Sequence, residues 1–300
     1  PHLFSSAASD VYKRQLIDMD LFYWSRHFRN MPGEGELPVV DFMRAVSSTG
    51  YAGPLSLEVF NDQFRGGSPV EIARDGHRSL LALMDDVRIS EPDIRLPVPD
   101  MPPRAQCAGV EFIEFTTSEE EAADLADFLA VMGFVHVGKH VSKKVMHWRQ
   151  NEINILINTE EFGFAHSAYQ THGTSVCDIA FRVDDAASTI ERARLLGAEI
   201  VTTPAGRGEL AIPAIKGVGG GMLRFVDDAS GLTNWSNVDF RPVEAVSTQT
   251  GVGLEKIDHL AQTMKYEDML TWTLFYTSIL DAGKVSMVDV VDPGGLVRSR

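Results

Sequence analysis

One carboxylate occupies a position suited to catalysis. Glu58 lies in PLSLEVF (residues 54–60), whose alternation of apolar and other residues predicts a β-strand. The apolar face of that strand consists of Leu55, Leu57 and Val59. Ser56 and Glu58 then face the interior of a parallel α/β barrel, and such barrels place their active sites at the C-terminal ends of their strands. A carboxylate between apolar residues is costly unless it is paired or bound to a metal. A solvated glutamate at a strand end fits the same pattern.

A second group of candidate residues lies upstream, in SRHFRNMPGEG (residues 25–35). It follows the apolar run LIDMDLFYW (16–24), which predicts a strand, and it contains Ser25, Arg26, His27 and Arg29. Arginine forks, an imidazole and a hydroxyl form a set suited to binding a carboxylate or a phosphate. A solvated basic loop is the alternative interpretation.

His259 is a third candidate, in EKIDHLAQ. The corresponding position of an earlier repeat holds Phe115. A metal site needs three or four ligands, and the sequence near His259 has no HxxxH or HxxE partner. A single histidine is more often a core or surface residue than a ligand.

The elements that must position Glu58 and the basic cluster follow a strand–loop–helix–strand–helix order, which indicates a parallel α/β fold. LPVVDFMRAVSSTG predicts a helix that ends at Gly50, with one apolar face: Val39, Phe42, Met43 and Val46. A second helix opens at SPVE, where Ser68 and Glu71 form a capping box. Its predicted apolar face consists of Ile72, Ala73, Leu80, Leu81 and Met84. The proline-rich stretch EPDIRLPVPDMPPR then predicts an extended linker.

Beyond the linker the chain repeats itself. GVEFIEF at residue 109 and VCDIAFRV at 176 each begin a strand–helix–strands series, which predicts two βαβββ units in one module. GLEKIDHL at 253 aligns with residue 109, and the helix YEDMLTWTLFYTSIL follows it. KGVGGG predicts a hairpin turn rather than a phosphate-binding loop. The predicted domains are a non-native or unstructured leader (1–15), an α/β segment (16–90), a linker (91–108), a first module (109–245) and the start of a second module (253–300).

Composition excludes several classes of function. The chain has 300 residues, is 44% hydrophobic and carries a net charge of −15. That charge argues against binding to nucleic acid or to an anionic membrane, because both require a basic face. The sequence contains neither a long apolar span nor a secretory signal, so we predict a cytoplasmic protein.

The motifs together resemble a known family. DLFYWSRHFRNMPGEGE with GYAGPLSLEVF resembles the last quarter of a sugar phosphate isomerase/epimerase-type TIM barrel. DIAFRVDDAASTIERARLLGAEI, IPAIKGVGGGMLRFVD and GLEKIDHLAQTM resemble 4-hydroxyphenylpyruvate dioxygenase and its vicinal-oxygen-chelate fold. The two in this order resemble the bacterial two-domain 3-dehydroshikimate dehydratases. The fold class implied is α/β plus α+β: a TIM-barrel remnant followed by vicinal-oxygen-chelate modules, the second one truncated.

The resemblance implies a metal-dependent lyase that converts 3-dehydroshikimate to protocatechuate in quinate and shikimate catabolism. It implies that Glu58 is a catalytic residue and the last ligand of a divalent metal (Mg²⁺, Mn²⁺ or Co²⁺) in the barrel. It also implies that Ser25 and Arg29, with His27 beside them, bind the carboxylate of a small-molecule substrate. His259 matches the first ligand of a two-histidine, one-carboxylate Fe(II) site.

Two other interpretations stay open at this point. The oxygenase-like half defines the function as a 4-hydroxyphenylpyruvate dioxygenase, or the oxygen-chelate part is a non-catalytic scaffold that dimerises, which would make the protein a homo-oligomer. The remaining ligands of both metal sites are expected outside residues 1–300. The chain by itself is therefore expected to be an inactive fragment.

Overall fold

A computed structural model describes residues 20–35, 37–94, 96, 98–202, 205–244, 251–265, 268–285, 288–292 and 295–299. The expected leader, residues 1–15, lies outside the described residues. The chain divides into two compact units. The first unit comprises residues 1–104, 195–197 and 264–300, and the second comprises residues 105–194 and 198–263.

The first unit contains four helices and one small sheet among its described residues. The helices are α1 (Leu21–His27), α2 (Val39–Ser48), α3 (Pro69–Ser90) and α8 (Met269–Ile279). Strands β10 (Val288–Asp292) and β11 (Gly295–Ser299) form an antiparallel pair. The prediction of a strand over residues 16–24 is wrong for its described part, because residues 21–27 are helical. The carboxylate of Asp20 caps that helix by accepting a hydrogen bond from the Tyr23 N–H at 2.9 Å.

The predicted strand over residues 54–60 is extended but is not paired as a strand. A β-strand requires a hydrogen-bonded neighbour, and in the described part of the chain this segment adjoins a single antiparallel bridge, between Phe28 and Asn61. The predicted alternation is nevertheless present. Leu55, Leu57 and Val59 are half-buried, while Ser56 and Glu58 are exposed.

Helices α2 and α3 bury a common core of Met43, Leu83, Met84 and Val87, to which Leu55 also packs. Two details of the predicted apolar faces are wrong: Phe42 is 45% exposed and Ala73 is exposed. Helix α3 has contacts on more than one side, and it also buries the polar side chains of Asp75, Arg78 and Asp85. Periodicity cannot predict such a face, because its residues are not apolar. Ser68 caps α3 as predicted, but the Glu71 carboxylate binds Arg74 at 2.8 Å instead of completing the box.

The described residues of the proline-rich stretch 91–104 contain no helix or strand, and this stretch packs against the helices. The predicted end of the linker at residue 108 is wrong, because β1 begins at Cys107. Leu96 and Val98 pack against the core of α2 and α3. The guanidinium of Arg104 donates to Asp86 at 2.7 Å. The linker is therefore an integral part of the first unit.

The second unit is built on one nine-stranded sheet with four helices. In chain order its elements are β1 (Cys107–Thr116), α4 (Glu119–Val131), β2 (Val135–His140), β3 (Val145–Gln150), β4 (Ile153–Asn158), α5 (Gly163–His172), β5 (Ser175–Val183), α6 (Ala186–Leu195), β6 (Ile200–Val201), β7 (Ala214–Lys216), β8 (Met222–Val226), α7 (Trp235–Val238) and β9 (Phe240–Pro242). The element order confirms two successive βαβββ series. The turn between β7 and β8 contains Gly219 and Gly220, both with positive φ, as the predicted hairpin turn requires.

The strand order shows that the two series are equivalent. It runs β6-β7-β8-β5-β1-β4-β3-β2-β9, with β1 antiparallel to β5 at the centre. In each series the first strand is parallel to the fourth, β1 to β4 and β5 to β8. The sheet therefore has an approximate internal two-fold axis. β9 adds one further edge strand, next to β2.

Each face of the sheet has its own core. On one face α4 covers the isoleucines of β4 through Ala122 and Leu129. We call the other the inner face; its core consists of Phe112, Val145, Leu156, Ala180, Trp235 and Phe240. The Trp235 ring lies 5.0 Å from Phe112 and 5.7 Å from Phe240, so the segment containing α7 and β9 contributes both aromatic rings to the core of the inner face.

The strand expected at residue 253 is absent from the described residues. Instead, residues 251–258 lie along the β3–β4 hairpin: the Glu152 N–H donates to the Glu255 carbonyl at 3.0 Å, and Leu254 and Ile257 pack on the α4 side of the sheet. The residues that the repeat pattern predicts to form a strand are therefore used in these contacts instead. The helix predicted after it is present as α8.

Trp235 of α7 and Trp148 of β3 supply a stability test. Trp235→Phe keeps an aromatic ring but removes the N–H that donates to the Glu111 carboxylate at 2.9 Å. Loss of a buried hydrogen bond to a charged group, plus some lost volume, should lower the free energy of unfolding by about 2–3 kcal/mol. Trp148→Phe is the matched control, because the Trp148 Nε1 has no hydrogen-bond partner in the described part of the chain. Denaturant unfolding should give a loss below ~1 kcal/mol for that variant; equal losses would contradict this account of Trp235.

Candidate functional site

The four residues of the basic cluster do not converge on one point. The Ser25 hydroxyl donates to the carbonyl of Phe22 within α1 at 2.9 Å. Arg26 is exposed. The His27 Nδ1 lies 2.8 Å from an oxygen of Asp62, and the Arg29 guanidinium lies over the Phe60 ring, 5.2 Å from its centroid.

Arg29 lies beside the segment that contains Glu58. The Arg29 N–H donates to the Phe60 carbonyl at 3.0 Å, and the Asn61 side chain donates to the Arg29 carbonyl at 2.8 Å. Phe60 and Glu58 are on the same face of the extended segment, since alternate residues of such a segment face the same way. Arg29 is itself half-buried, and its side chain contacts Phe60, which alternates with Glu58 and is exposed as Glu58 is.

Two participants in this arrangement were not predicted. Asp62 pairs with His27, and Phe60 supports Arg29 by a cation–π contact. Both follow Glu58 directly in the sequence, where a barrel strand would end and its catalytic loop begin. Their position after Glu58 was the signal in the sequence for a role at the site. Their partners could not be predicted, because those contacts depend on the bridge between Phe28 and Asn61.

The second unit has a polar cavity of about 440 Å³ at the edge of its inner face. Its floor is the Glu111 carboxylate, which accepts from Arg182 at 2.7 and 3.0 Å and from Trp235 at 2.9 Å. Arg149 and Lys256 line its exposed rim. Because three donors already occupy Glu111, this carboxylate is a structural group that joins β1, β5 and α7.

The inner face also buries ionisable groups that were assigned no role from the sequence. The His147 Nε2–H donates to the Asn154 side-chain oxygen at 2.9 Å, and burial lowers the pKa of His147 to about 4. Asp178 is fully buried and accepts from the Arg224 Nε at 2.6 Å. Burial raises the pKa of Asp178, while the positive charge of Arg224 acts against that rise. The His147 ring also lies 5.0 Å from the Trp235 ring and 5.3 Å from the Phe240 ring.

His259 is highly exposed, with its side chain 80% accessible. Its Nδ1 lies 3.0 Å from the carboxylate of the adjacent Asp258, and that hydrogen bond lowers the pKa of Asp258. Asp258 and Ile257 line the edge of the cavity over Glu111. Among the described residues, no three His, Cys, Asp or Glu side chains are grouped so that they could hold a metal ion. None of the described helices combines the length and apolar composition needed to cross a membrane.

The double βαβββ sheet defines the fold class of the second unit, and comparison with known proteins agrees. Residues 103–241 match the family model described as hydroxyphenylpyruvate dioxygenase, N-terminal. A solved 4-hydroxymandelate synthase variant from Streptomyces coelicolor shares the fold, with a TM-score of 0.51 at 19% identity over 66% of this chain and 58% of that one. The fold is thus a mixed α/β sheet of the vicinal-oxygen-chelate type.

The resemblance of the whole chain to 3-dehydroshikimate dehydratases is confirmed. The chain is 38% identical over 290 residues to the 3-dehydroshikimate dehydratase of Pseudomonas putida. The matched residues cover 95% of this chain and 45% of that protein. The Pseudomonas aeruginosa enzyme of the same name is 39% identical over the same length. A solved xylose isomerase-like TIM barrel/4-hydroxyphenylpyruvate dioxygenase fusion protein matches with a TM-score of 0.80 and 36% identity, over 97% of this chain and 46% of that one. The chain spans less than half the length of these relatives.

The stability of the second unit should depend on pH through His147. The unfolded chain binds the imidazole proton near its ordinary pKa of 6.5, whereas the folded protein binds it only near 4. Stability is therefore present above pH 6.5 and is lost as the pH falls towards 4, by roughly 3 kcal/mol at most. His147→Gln cannot be protonated and keeps a donor for Asn154, so it should remove this loss in thermal melts between pH 7 and 4. His172→Gln, at an exposed histidine, should melt as the wild type does; identical acid profiles for all three proteins would refute the assignment.

Proposed function

We propose that the chain is part of a metal-dependent 3-dehydroshikimate dehydratase that forms protocatechuate, and that residues 16–90 carry the end of its active site. The observation that supports this most is the contact of Arg29 with Phe60, two residues from the exposed Glu58 on the same alternation. A cation and a carboxylate near each other are what a site needs to hold an acidic substrate and a metal beside it.

Arg29 is the residue proposed to bind the substrate carboxylate. The Arg29 guanidinium carbon lies over the Phe60 ring, 5.2 Å from its centroid, and a guanidinium binds a carboxylate in fork geometry. The backbone bonds to Phe60 and Asn61 fix where the side chain begins. Ser25 and His27 are proposed as its neighbours in substrate binding, with Asp62 holding the imidazole.

Glu58 is proposed as one metal ligand. An exposed carboxylate suits hard divalent ions such as Mg²⁺ or Mn²⁺, and it also suits Co²⁺. The described residues supply this ligand alone at the site, so the other ligands would come from the rest of a longer protein. When bound, the metal would stabilise the negative charge that develops on the substrate carbonyl oxygen as the α-proton leaves.

The first unit is proposed to be the C-terminal part of a TIM barrel (16–90), joined by the proline-rich linker to a first oxygen-chelate module. Residues 253–300 would begin a second module in which His259 is a ligand of Fe(II). We also propose a cytoplasmic location, which suits an enzyme of small-molecule catabolism.

One alternative has an observation in its favour. The 4-hydroxyphenylpyruvate dioxygenase of Pseudomonas aeruginosa is 37% identical over 184 residues, which cover 61% of this chain and 51% of that protein. An oxygenase of that kind would account for His259. It would leave Arg29 and Glu58 without a role, so the dehydratase is favoured.

The first functional prediction concerns Glu58. Glu58→Gln in the intact protein should lower the rate of protocatechuate formation by roughly 100-fold or more, because an amide is a much poorer metal ligand than a carboxylate. Thermal melts should be unchanged, since the side chain is exposed. Glu120→Gln, at an exposed carboxylate of α4, is the control. Near wild-type turnover in Glu58→Gln would eliminate the metal role.

The second concerns Arg29. Arg29→Lys keeps the charge but loses the fork and the guanidinium contact with Phe60, so kcat/KM for 3-dehydroshikimate should fall roughly 10- to 100-fold. Arg65→Lys, whose side chain is 84% exposed, should leave it unchanged. If the two variants have equal kcat/KM, Arg29 does not contact the substrate.

A further inference from the structure

The turn that follows Arg29 is unusually well anchored. Met31–Pro32–Gly33–Glu34 closes with a hydrogen bond from the Glu34 N–H to the Met31 carbonyl at 3.0 Å, and Gly33 has a φ of +85°. Proline at the second position and a glycine with positive φ at the third are typical of a type II turn. The Glu34 carboxylate group also returns to the turn, accepting from the Met31 N–H at 2.7 Å. Asn30, Met31 and Glu34 are all buried.

The Glu34 side chain connects this turn to helix α3. Its carboxyl group is hydrogen-bonded to the carboxyl group of Asp75, and both residues are at most 5% exposed. Two carboxylates have no donor between them, so such a bond requires one proton in the pair. Burial raises the pKa of Asp75, but Asp75 also accepts from the Arg78 Nη1 at 3.1 Å and from the Thr271 hydroxyl at 2.7 Å, and both bonds favour its charged form. Glu34 is therefore the member that carries the proton and donates it to Asp75.

The charges around the pair agree with this assignment. Burial and the negative charge of Asp75 raise the pKa of Glu34 well above its ordinary value. Among the described residues, Arg78 of α3 and Lys284 place positive charge near the pair, and the ammonium group of Lys284 donates to the Gly33 carbonyl. Arg78 neutralises Asp75, so the pair with its one proton leaves no uncompensated negative charge at Asp75.

Helix α8 reaches the same pair from the other side. Thr271 binds Asp75 directly, and the Phe275 ring lies 5.2 Å from the Arg78 guanidinium carbon. A chain of contacts therefore runs from α8 through Asp75 and Glu34 to the turn, and two residues further to Arg29. Every residue in that chain belongs to the first compact unit.

We propose that the Glu34–Asp75 carboxyl pair is a positioning device for the candidate anion site, through which Thr271 of α8 sets the place of the turn next to Arg29. The proposal rests on the proposed function for the identity of the substrate. The structural part of the proposal is that α8 sets the position of the turn through a protonated Glu34. This part does not depend on any enzymatic activity. Neither Glu34 nor Asp75 touches the substrate in this account.

Hydrogen exchange of the 300-residue chain tests the connection to α8. Thr271→Val removes the donor to Asp75 with little change of shape, and it should accelerate exchange of the peptide covering residues 29–34 at least several-fold. Thr273→Val is the matched control on the same helix, because the Thr273 hydroxyl donates to the Met269 carbonyl of its own helix. Equal exchange of residues 29–34 in the two variants, or a change confined to α8 in Thr271→Val, would overturn the proposal.

Kinetics of the intact protein test the connection to Arg29. Glu34→Ala removes the anchor of the turn, so KM for 3-dehydroshikimate should rise roughly 10-fold or more while kcat changes less. Glu34→Gln has an amide N–H₂ that can donate to Asp75 and an oxygen that can accept from Met31, as protonated Glu34 does, so it should restore KM to within about two-fold of wild type. Failure of Glu34→Gln to restore KM, or an unchanged KM in Glu34→Ala, would refute the positioning role.

The two arms separate this proposal from the proposed function. If the intact wild-type protein forms no protocatechuate, the proposed function fails, and the exchange of residues 29–34 in Thr271→Val still decides whether the pair connects α8 to the turn. If the wild type is active and the Glu34 variants behave as described, both proposals stand.

Discussion

The antiparallel pairing of β1 with β5 is the interaction on which the second unit depends. It joins two βαβββ series that each leave their first strand with one free edge, and it brings Glu111 of β1 beside Arg182 of β5. Once these strands are paired, the charged and polar side chains of both series face a common inner face. Trp235 then covers that face and donates to Glu111. Because buried charge is tolerated only when it is paired and hydrogen-bonded, the pairing determines both the topology and the placement of the ion pairs.

The same rule applies to the buried ionisable groups of both units. In the second unit Glu111 pairs with Arg182 and Asp178 pairs with Arg224, while Trp235 and Phe240 belong to the core of the inner face. In the first unit Glu58 is exposed and Arg29 is half-buried, whereas the carboxyl groups of Glu34 and Asp75 are buried.

Much of this architecture follows from local pattern, and what does not follow depends on long-range contacts. The serine cap of α3 and the glycine hairpin between β7 and β8 are encoded within a few residues, so the sequence predicts them. Residues 16–24 were predicted as a strand from their apolar run, and the segment at 253 from its alignment with the strand at residue 109, but pairing with a distant strand decides whether a segment becomes a strand. The Glu34–Asp75 pair had no sequence signal, since a buried acid differs from a surface acid only in its surroundings. For Arg29 and Glu58, family resemblance indicated the candidates, and the contact with Phe60 placed Arg29 beside the segment that carries Glu58.

The central claim is that this chain carries part of a dehydratase site rather than part of an oxygenase whose barrel segment is incidental. The most direct measurement presents the intact protein with 3-dehydroshikimate and a divalent metal, and separately with 4-hydroxyphenylpyruvate, Fe(II) and O₂. Protocatechuate absorbance and O₂ uptake are followed in parallel. The account predicts protocatechuate formation in the first reaction. O₂ uptake in the second reaction with no protocatechuate in the first would contradict it.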